Sequence, residues 1–250
     1  MPTNPMGGGQ IGRSVPRLEG REKVTGRAEY THLMRLPGML YGKIFRSTVA
    51  HGRIKSIDTS AAKKIPGVFR VITSEDVRKV IPDPYYGPAF HDQPILAIDK
   101  VRFVGEPVAV VLAADPHIAE AATHAIVAEY EELPPVYDEV EAMTAPTYVH
   151  DELKPAGSFA DLKHLKGQKN TNLALNAKLR RGDVDKAFAE AAHVFADVFT
   201  TQQCLHLPFE PQVAIADPSH PGLTIHSATQ TPSFVRTEIG CWDGRKTACG

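Results

Sequence analysis

The chain reads as an α+β protein in two parts, and three stretches carry that reading. The first is VRFVGEPVAVVLAA with the helix pattern DPHIAEAATHAIV behind it and the strand pattern EYEE closing the unit. The second is a run of short strand patterns between residues 40 and 72, each bounded by glycine or proline. The third lies after Asn172, where a helix is followed by alternating strand patterns in succession, as in an antiparallel sheet.

The totals narrow the class. At 250 residues the chain is long enough for one large domain or two ordinary ones. Its 42% hydrophobic and 23% charged residues are those of a soluble globular protein. A net charge of -1 gives no electrostatic case for nucleic acid or an anionic membrane. No apolar run approaches the roughly 18 residues of a membrane span. The N-terminus lacks the basic-then-apolar order of a secretory signal, so the cytoplasm is the expected compartment. Cys204, Cys241 and Cys249 form no CxxC, and the histidines form no HExxH, so no metal ligand is assigned.

Residues 1–19 read as a flexible arm. They contain Gly7-x-Gly9-x-x-Gly12, a literal match to a dinucleotide fingerprint, but no strand precedes it and no helix follows, and phosphate binding needs both. Residues 20–138 form the first domain. Residues 40–46 make a strand after the Pro37-Gly38 turn, and RIKSID makes another. AAKK gives a turn of helix, Pro66-Gly67 stops it, and a strand follows over residues 68–72. TSED resembles a capping box with Asp76 in the place of the usual Glu or Gln. The proline-rich residues 81–94 form a loop whose Tyr85, Tyr86 and Phe90 either line a substrate or subunit surface or pack on the domain itself. VRFVGEPVAVVLAA is a strand pair or one bent strand, interrupted at Gly105-Glu106-Pro107. Asp115-Pro116 then starts a helix, a carboxylate cap followed by the one residue with no N–H to satisfy. The acidic residues Glu129, Glu131, Glu132, Asp138, Glu139 and Glu141 read as a solvated strand edge rather than a metal site.

Residues 139–171 have no clear period and read as a linker draped over a surface. In residues 172–239, RRGDVDKAFAEAA is a helix capped by Asp183, and HVFADVFTTQQ, HLPFEPQVAIADP and the segment from Leu223 give three strands. After the last of these, Thr231-Pro232 starts a helix with Phe234, Val235 and Ile239 roughly on one face. Gln230 therefore stands at a strand-to-helix corner. Its amide donates and accepts at once, which suits a metal-oxo or hydroxyl group, although most glutamines at such corners are merely solvated.

The ordered set KVTGRAEY, PGMLYGKIFRS, HGRIKSID, VFRVITSEDV, VRFVGEPVAVV and VAEYEELPPV resembles the a/b hammerhead domain of molybdenum hydroxylases. These are the large subunits of xanthine dehydrogenase, aldehyde oxidase and carbon monoxide dehydrogenase. HLPFEPQVAIA and HSATQTPSFVRTEI are similar to the opening of the molybdopterin-binding domain that follows it, here a truncated start. The resemblance implies an oxidoreductase that hydroxylates an aldehyde or N-heterocycle, with water as oxygen source, at a molybdenum–molybdopterin cofactor. It implies iron–sulfur and FAD subunits as partners. It makes Gln230 the cofactor contact, a hydrogen bond to a terminal oxygen ligand of the metal. His206 and Glu210 fall in a family-typical segment, with a structural role as good a reading. The family's glutamate base and further pterin-binding segments lie downstream, so the chain alone is expected to be inactive and metal-free. Residues 240–250, GCWDGRKTACG, lose the apolar period and read as a tail in a shifted frame. One permitted back-translation, read from its third base, gives LLGWPENRVR, which is similar to the family's next segment.

Overall fold

The computed structural model describes residues 14–157, 159–219 and 222–242. The Gly7-x-Gly9-x-x-Gly12 motif and residues 243–250 lie outside them. The chain opens with α1 (Gly20–Val24), β1 (Tyr41–Arg46), β2 (Gly52–Asp58), α2 (Ser60–Lys63), β3 (Val68–Thr73) and α3 (Ser74–Val80). It continues through β4 (Tyr85–Tyr86), β5 (Gln93–Pro94), β6 (Lys100–Val101), β7 (Pro107–Ala113), α4 (Pro116–Thr123) and β8 (Val127–Glu132). It then passes through α5 (Glu139–Ala142), β9 (Glu152–Leu153), β10 (Gln168–Lys169), α6 (Val184–Glu190), β11 (Ala214–Asp217), β12 (Thr224–Ser227) and α7 (Pro232–Trp242). These elements fall into two compact units. One is Gly38–Gln203 with the described residues from Thr231 onward; the other is the described residues up to Pro37 with Cys204–Gln230.

The larger unit is organised by β7. Its sequence PVAVVLA has no polar side chain, so the strand needs cover on both faces. It lies between β1 and β3, antiparallel to each. Val108 enters a cluster with Ala97 and Val101. Ala109, Val111 and Ala113 point the other way, onto Val71, Ala62 of α2 and Ala119 and Ala122 of α4, as strand alternation requires. The second sheet, β6-β2-β8, is antiparallel too. Helices packed beside antiparallel sheets make an α+β fold.

The interruption at Gly105-Glu106 separates β6 from β7 completely, since the two belong to different sheets. For the same reason β7, α4 and β8 form a crossover between sheets rather than a parallel strand–helix–strand unit. The helix starts follow the capping residues. The Asp115 carboxylate accepts from the N–H groups of His117 (2.8 Å) and Ile118 (3.3 Å), and Pro116 occupies the first turn. The Thr73 N–H donates to the Asp76 carboxylate at 3.2 Å, so Asp76 does fill the capping-box position.

Residues 139–171 contain more order than their sequence announces, including α5 and the antiparallel pair β9–β10. Asn172 pins them. Its Nδ2 donates to the carbonyls of Ala142 (3.0 Å) and Thr147 (2.9 Å), and its Oδ1 accepts from the Val149 N–H (2.9 Å). Beyond α6, the strand expected over HVFADVFTTQQ is not formed. Phe195, Val198 and Phe199 there are 86%, 93% and 88% exposed. Alternation marks two faces, but a strand persists only where a neighbour takes its backbone groups. Of the three strands expected after α6, two form among the described residues, and they pair as the hairpin β11–β12 in the smaller unit. No helix among the described residues is long and apolar enough to cross a membrane.

Candidate functional site

Gln230 closes the smaller unit, three residues after the end of β12. In the hairpin, Ala214 stands opposite Ser227 and Asp217 opposite Thr224. The Ala228 N–H donates to the Val213 carbonyl at 3.0 Å, carrying the ladder one residue past β12. Pro232 then opens α7 without an N–H to satisfy, and the Val235 N–H donates to the Thr231 carbonyl at 3.3 Å. Gln230, between β12 and α7 in chain order, is exposed. Its two amide donors and one carbonyl acceptor are a set that fits an oxygen ligand of a metal. His206 is exposed and Glu210 half-buried. Leu207 between them has a φ of 27°, a left-handed conformation that costs a residue with a β-carbon about 1 kcal/mol.

The other end of α7 meets the loop 81–94, a contact that no local pattern announces. Glu238 Oε2 accepts from the Gly87 N–H at 3.4 Å and lies 3.9 Å from His91 Nε2. Trp242 Nε1 donates to the Tyr85 carbonyl at 3.3 Å, and its ring meets Tyr86 edge-on at 6.2 Å between centroids. Phe234 lies against Phe159 with centroids 4.6 Å apart. The loop's aromatics therefore serve the chain's own packing: Tyr86 against Trp242, and Phe90 buried at 8% exposure. Burial pushes the Tyr85 and Tyr86 phenols above their usual range.

Beside the loop lies a small polar cavity of about 170 Å³, bordered by Tyr85, His91, Arg102 and His150 among others. Burial, then the Arg102 charge, holds the His150 imidazole below its usual range. Arg102 is itself paired, Nη1 donating to Glu106 Oε1 at 2.9 Å. The acidic residues from Glu129 to Glu141 are exposed on and beyond the β8 edge. Among the described residues, no group of three or more His, Cys, Asp or Glu could hold a metal.

Residues 25–134 match the family model of the aldehyde oxidase and xanthine dehydrogenase a/b hammerhead domain, and residues 165–242 match that of a molybdopterin cofactor-binding domain. The 6-hydroxypseudooxynicotine dehydrogenase complex subunit gamma of Paenarthrobacter nicotinovorans is 38% identical over 217 residues, 83% of this chain and 25% of that protein. The nicotinate dehydrogenase large molybdopterin subunit of Eubacterium barkeri is 34% identical over 92% of this chain and 49% of its own length. The crystal structure of quinoline 2-oxidoreductase from Pseudomonas putida 86 matches with a TM-score of 0.78 and 32% identity, over 96% of this chain and 29% of that one. The chain thus spans between a quarter and half of the length of these relatives. Both domain models match in the order in which the motifs present them, and the chain belongs to the molybdenum hydroxylase family of xanthine dehydrogenases and aldehyde oxidases, in the part that carries hammerhead and molybdopterin-binding sequence.

Proposed function

We propose that this chain supplies the hammerhead domain and one wall of the cofactor pocket of a molybdopterin-dependent oxidoreductase, one that hydroxylates an aldehyde or N-heterocycle with water as oxygen source. The observation that carries this reading is the exposed Gln230 amide, inside the stretch matched to the cofactor domain. When bound, the cofactor supplies the redox-active molybdenum at which the substrate is oxidised. Gln230 donates a hydrogen bond to an oxygen ligand of that group, while its carbonyl stays available to accept one. No catalytic base is assigned within these residues. Iron–sulfur and FAD subunits in the cytoplasm are the proposed route for the electrons.

A pterin is held by polar groups closing on it from several sides, and these residues present one. The purified 250-residue chain is therefore expected to carry molybdenum far below stoichiometry and to show no dye-linked aldehyde oxidation; stoichiometric metal with turnover overturns the one-wall reading. In an enzyme completed by co-expressing the downstream part of a relative's large subunit, Gln230→Ala is expected to lower activity or metal content roughly 10–100-fold, the usual range for groups hydrogen-bonded to metal ligands. Unchanged values there would remove Gln230 from the site.

A second reading is a non-catalytic docking or assembly module completed by another chain. It is favoured by the exposure of Phe195, Phe199, Leu205 and Phe209, which stand 81–107% accessible. Co-purification with a partner bearing the rest of the cofactor domain supports it, and a monomer whose second half exchanges amide protons freely counts against it.

A further inference from the structure

One carboxylate on α7 has no part in the reading above. The Glu238 side chain is 14% exposed, its Oε1 has no hydrogen-bond partner among the described residues, and its Oε2 receives a long bond from the Gly87 N–H. His91 presents Nε2 at 3.9 Å, buried and also without a hydrogen bond. A carboxylate withdrawn from water needs a counter-charge and donors. The groups facing it, the Gly87 N–H and the His91 ring, come from a single loop. Gly87 can bring its N–H up because it has no side chain: at its φ of 141°, a β-carbon would sit 2.1 Å from the Phe90 carbonyl oxygen. One helical turn further on, Trp242 meets Tyr85 and Tyr86 of the same loop.

We propose that Glu238 is a positioning residue: with the Gly87 N–H and His91 it fixes α7 against the loop 81–94, and so fixes the helix start that follows Gln230 directly in the chain. This rests on the reading of Gln230 as the cofactor contact. An 11-residue helix is a stiff rod about 16 Å long. A hold on its last two turns is therefore felt at its first.

The test uses the 250-residue chain and two readouts that need no cofactor. Trp242 is its only tryptophan, so emission reports on the docked end of α7, and hydrogen exchange reports on Gly87 and on Val235, whose N–H is bonded to the Thr231 carbonyl at the helix start. Glu238→Ala is expected to shift the emission to the red and to speed exchange at both places by about tenfold, as local opening becomes easier. Glu238→Gln, which keeps an acceptor for Gly87 but not the charge facing His91, is expected to fall between the two. Unchanged emission and exchange in Glu238→Ala overturn the proposal. If that variant loses its circular dichroism altogether, Glu238→Gln decides: wild-type exchange overturns, acceleration supports. Gln230→Ala is expected to leave both readouts at wild-type values. Should it also leave cofactor use untouched in the completed enzyme, the Gln230 reading fails while the hold by Glu238 stands on its own data.

Discussion

Replacing Glu106 probes a buried charge pair in the turn between β6 and β7. Glu106 is 2% exposed. Its carboxylate accepts from the Arg102 backbone N–H and from Arg102 Nη1, and the Arg102 side chain is itself only 11% exposed. The backbone there is tied as well, with the Ser47 N–H donating to the Glu106 carbonyl at 2.9 Å and the Gly105 N–H to the Ser47 carbonyl at 2.8 Å. Glu106→Ala leaves the turn's backbone bonds possible but strands the Arg102 N–H and takes the counter-charge from a guanidinium that keeps the Lys100 carbonyl, at 3.2 Å, as an acceptor in the turn. Losing the backbone acceptor alone would cost about 1 kcal/mol. Breaking a buried pair from one side costs about 3–5 kcal/mol, so the stranded charge dominates. Glu106→Gln keeps the shape and an acceptor and is expected to lose less. The double change Arg102→Met with Glu106→Leu removes both charges and is expected to recover most of the stability. In urea, with a slope of about 2 kcal/mol per molar, the alanine variant should unfold roughly 2 M earlier by circular dichroism. A loss below about 1 kcal/mol, or a double variant as unstable as the single one, would refute the reasoning.

Two further outcomes follow from the same region. Asp115→Ala removes the acceptor of the His117 and Ile118 N–H groups and should cost about 1 kcal/mol, a melting-temperature fall of roughly 2–4 °C by calorimetry; an unchanged transition would mean that water satisfies those donors equally well. His150 is held below its ordinary value by burial first and Arg102 second, so below about pH 6.5 the unfolded chain binds more protons than the folded one. Stability present above that pH is therefore lost as the pH falls, and His150→Phe should flatten the urea midpoint between pH 8 and 5; an identical slope in that variant would show that another group is responsible.

The sequence announces what short range decides. β7 is legible because PVAVVLA offers no polar face, so only a strand covered on both sides accommodates it. The caps Asp115 and Asp76 and the helix start after Gln230 are legible because each is set by residues within one turn. What the sequence hides is set by distant partners. Nothing around Gly105 says that β6 and β7 enter different sheets, because that depends on β2 and β1 far upstream. The order of residues 139–171 draws on distant partners: Asn172 bonds three of its backbone groups, Lys100 reaches Tyr148 and Asp151, and the His91 N–H donates to the Lys154 carbonyl. Such bonds leave no period. Glu238 reaches a loop 151 residues earlier in the chain. Its one signal was Gly87 in a proline-rich segment, which marks a turn but not its partner.

HVFADVFTTQQ shows the same limit from the energetic side. Apolar side chains occupy only about half of its positions, Val194 to Ala196 with Val198 and Phe199, and covering each large one would contribute about 1.5–3 kcal/mol. Fixing the backbone costs about 1–2 kcal/mol for every residue, apolar or not. Across such a strand these two effects come close to cancelling. Cover on one face is thus insufficient, and the balance is tipped by a neighbour that pairs the backbone along its length. β7 has such neighbours on both edges and is buried; residues 193–203 are in no ladder and their apolar side chains stay exposed. A surface that orders this stretch must therefore bring a strand edge as well as an apolar face. That requirement separates a true completing partner from any merely hydrophobic one, and it is readable as new amide protection at alternate residues of 193–203 rather than as a change in exposure alone.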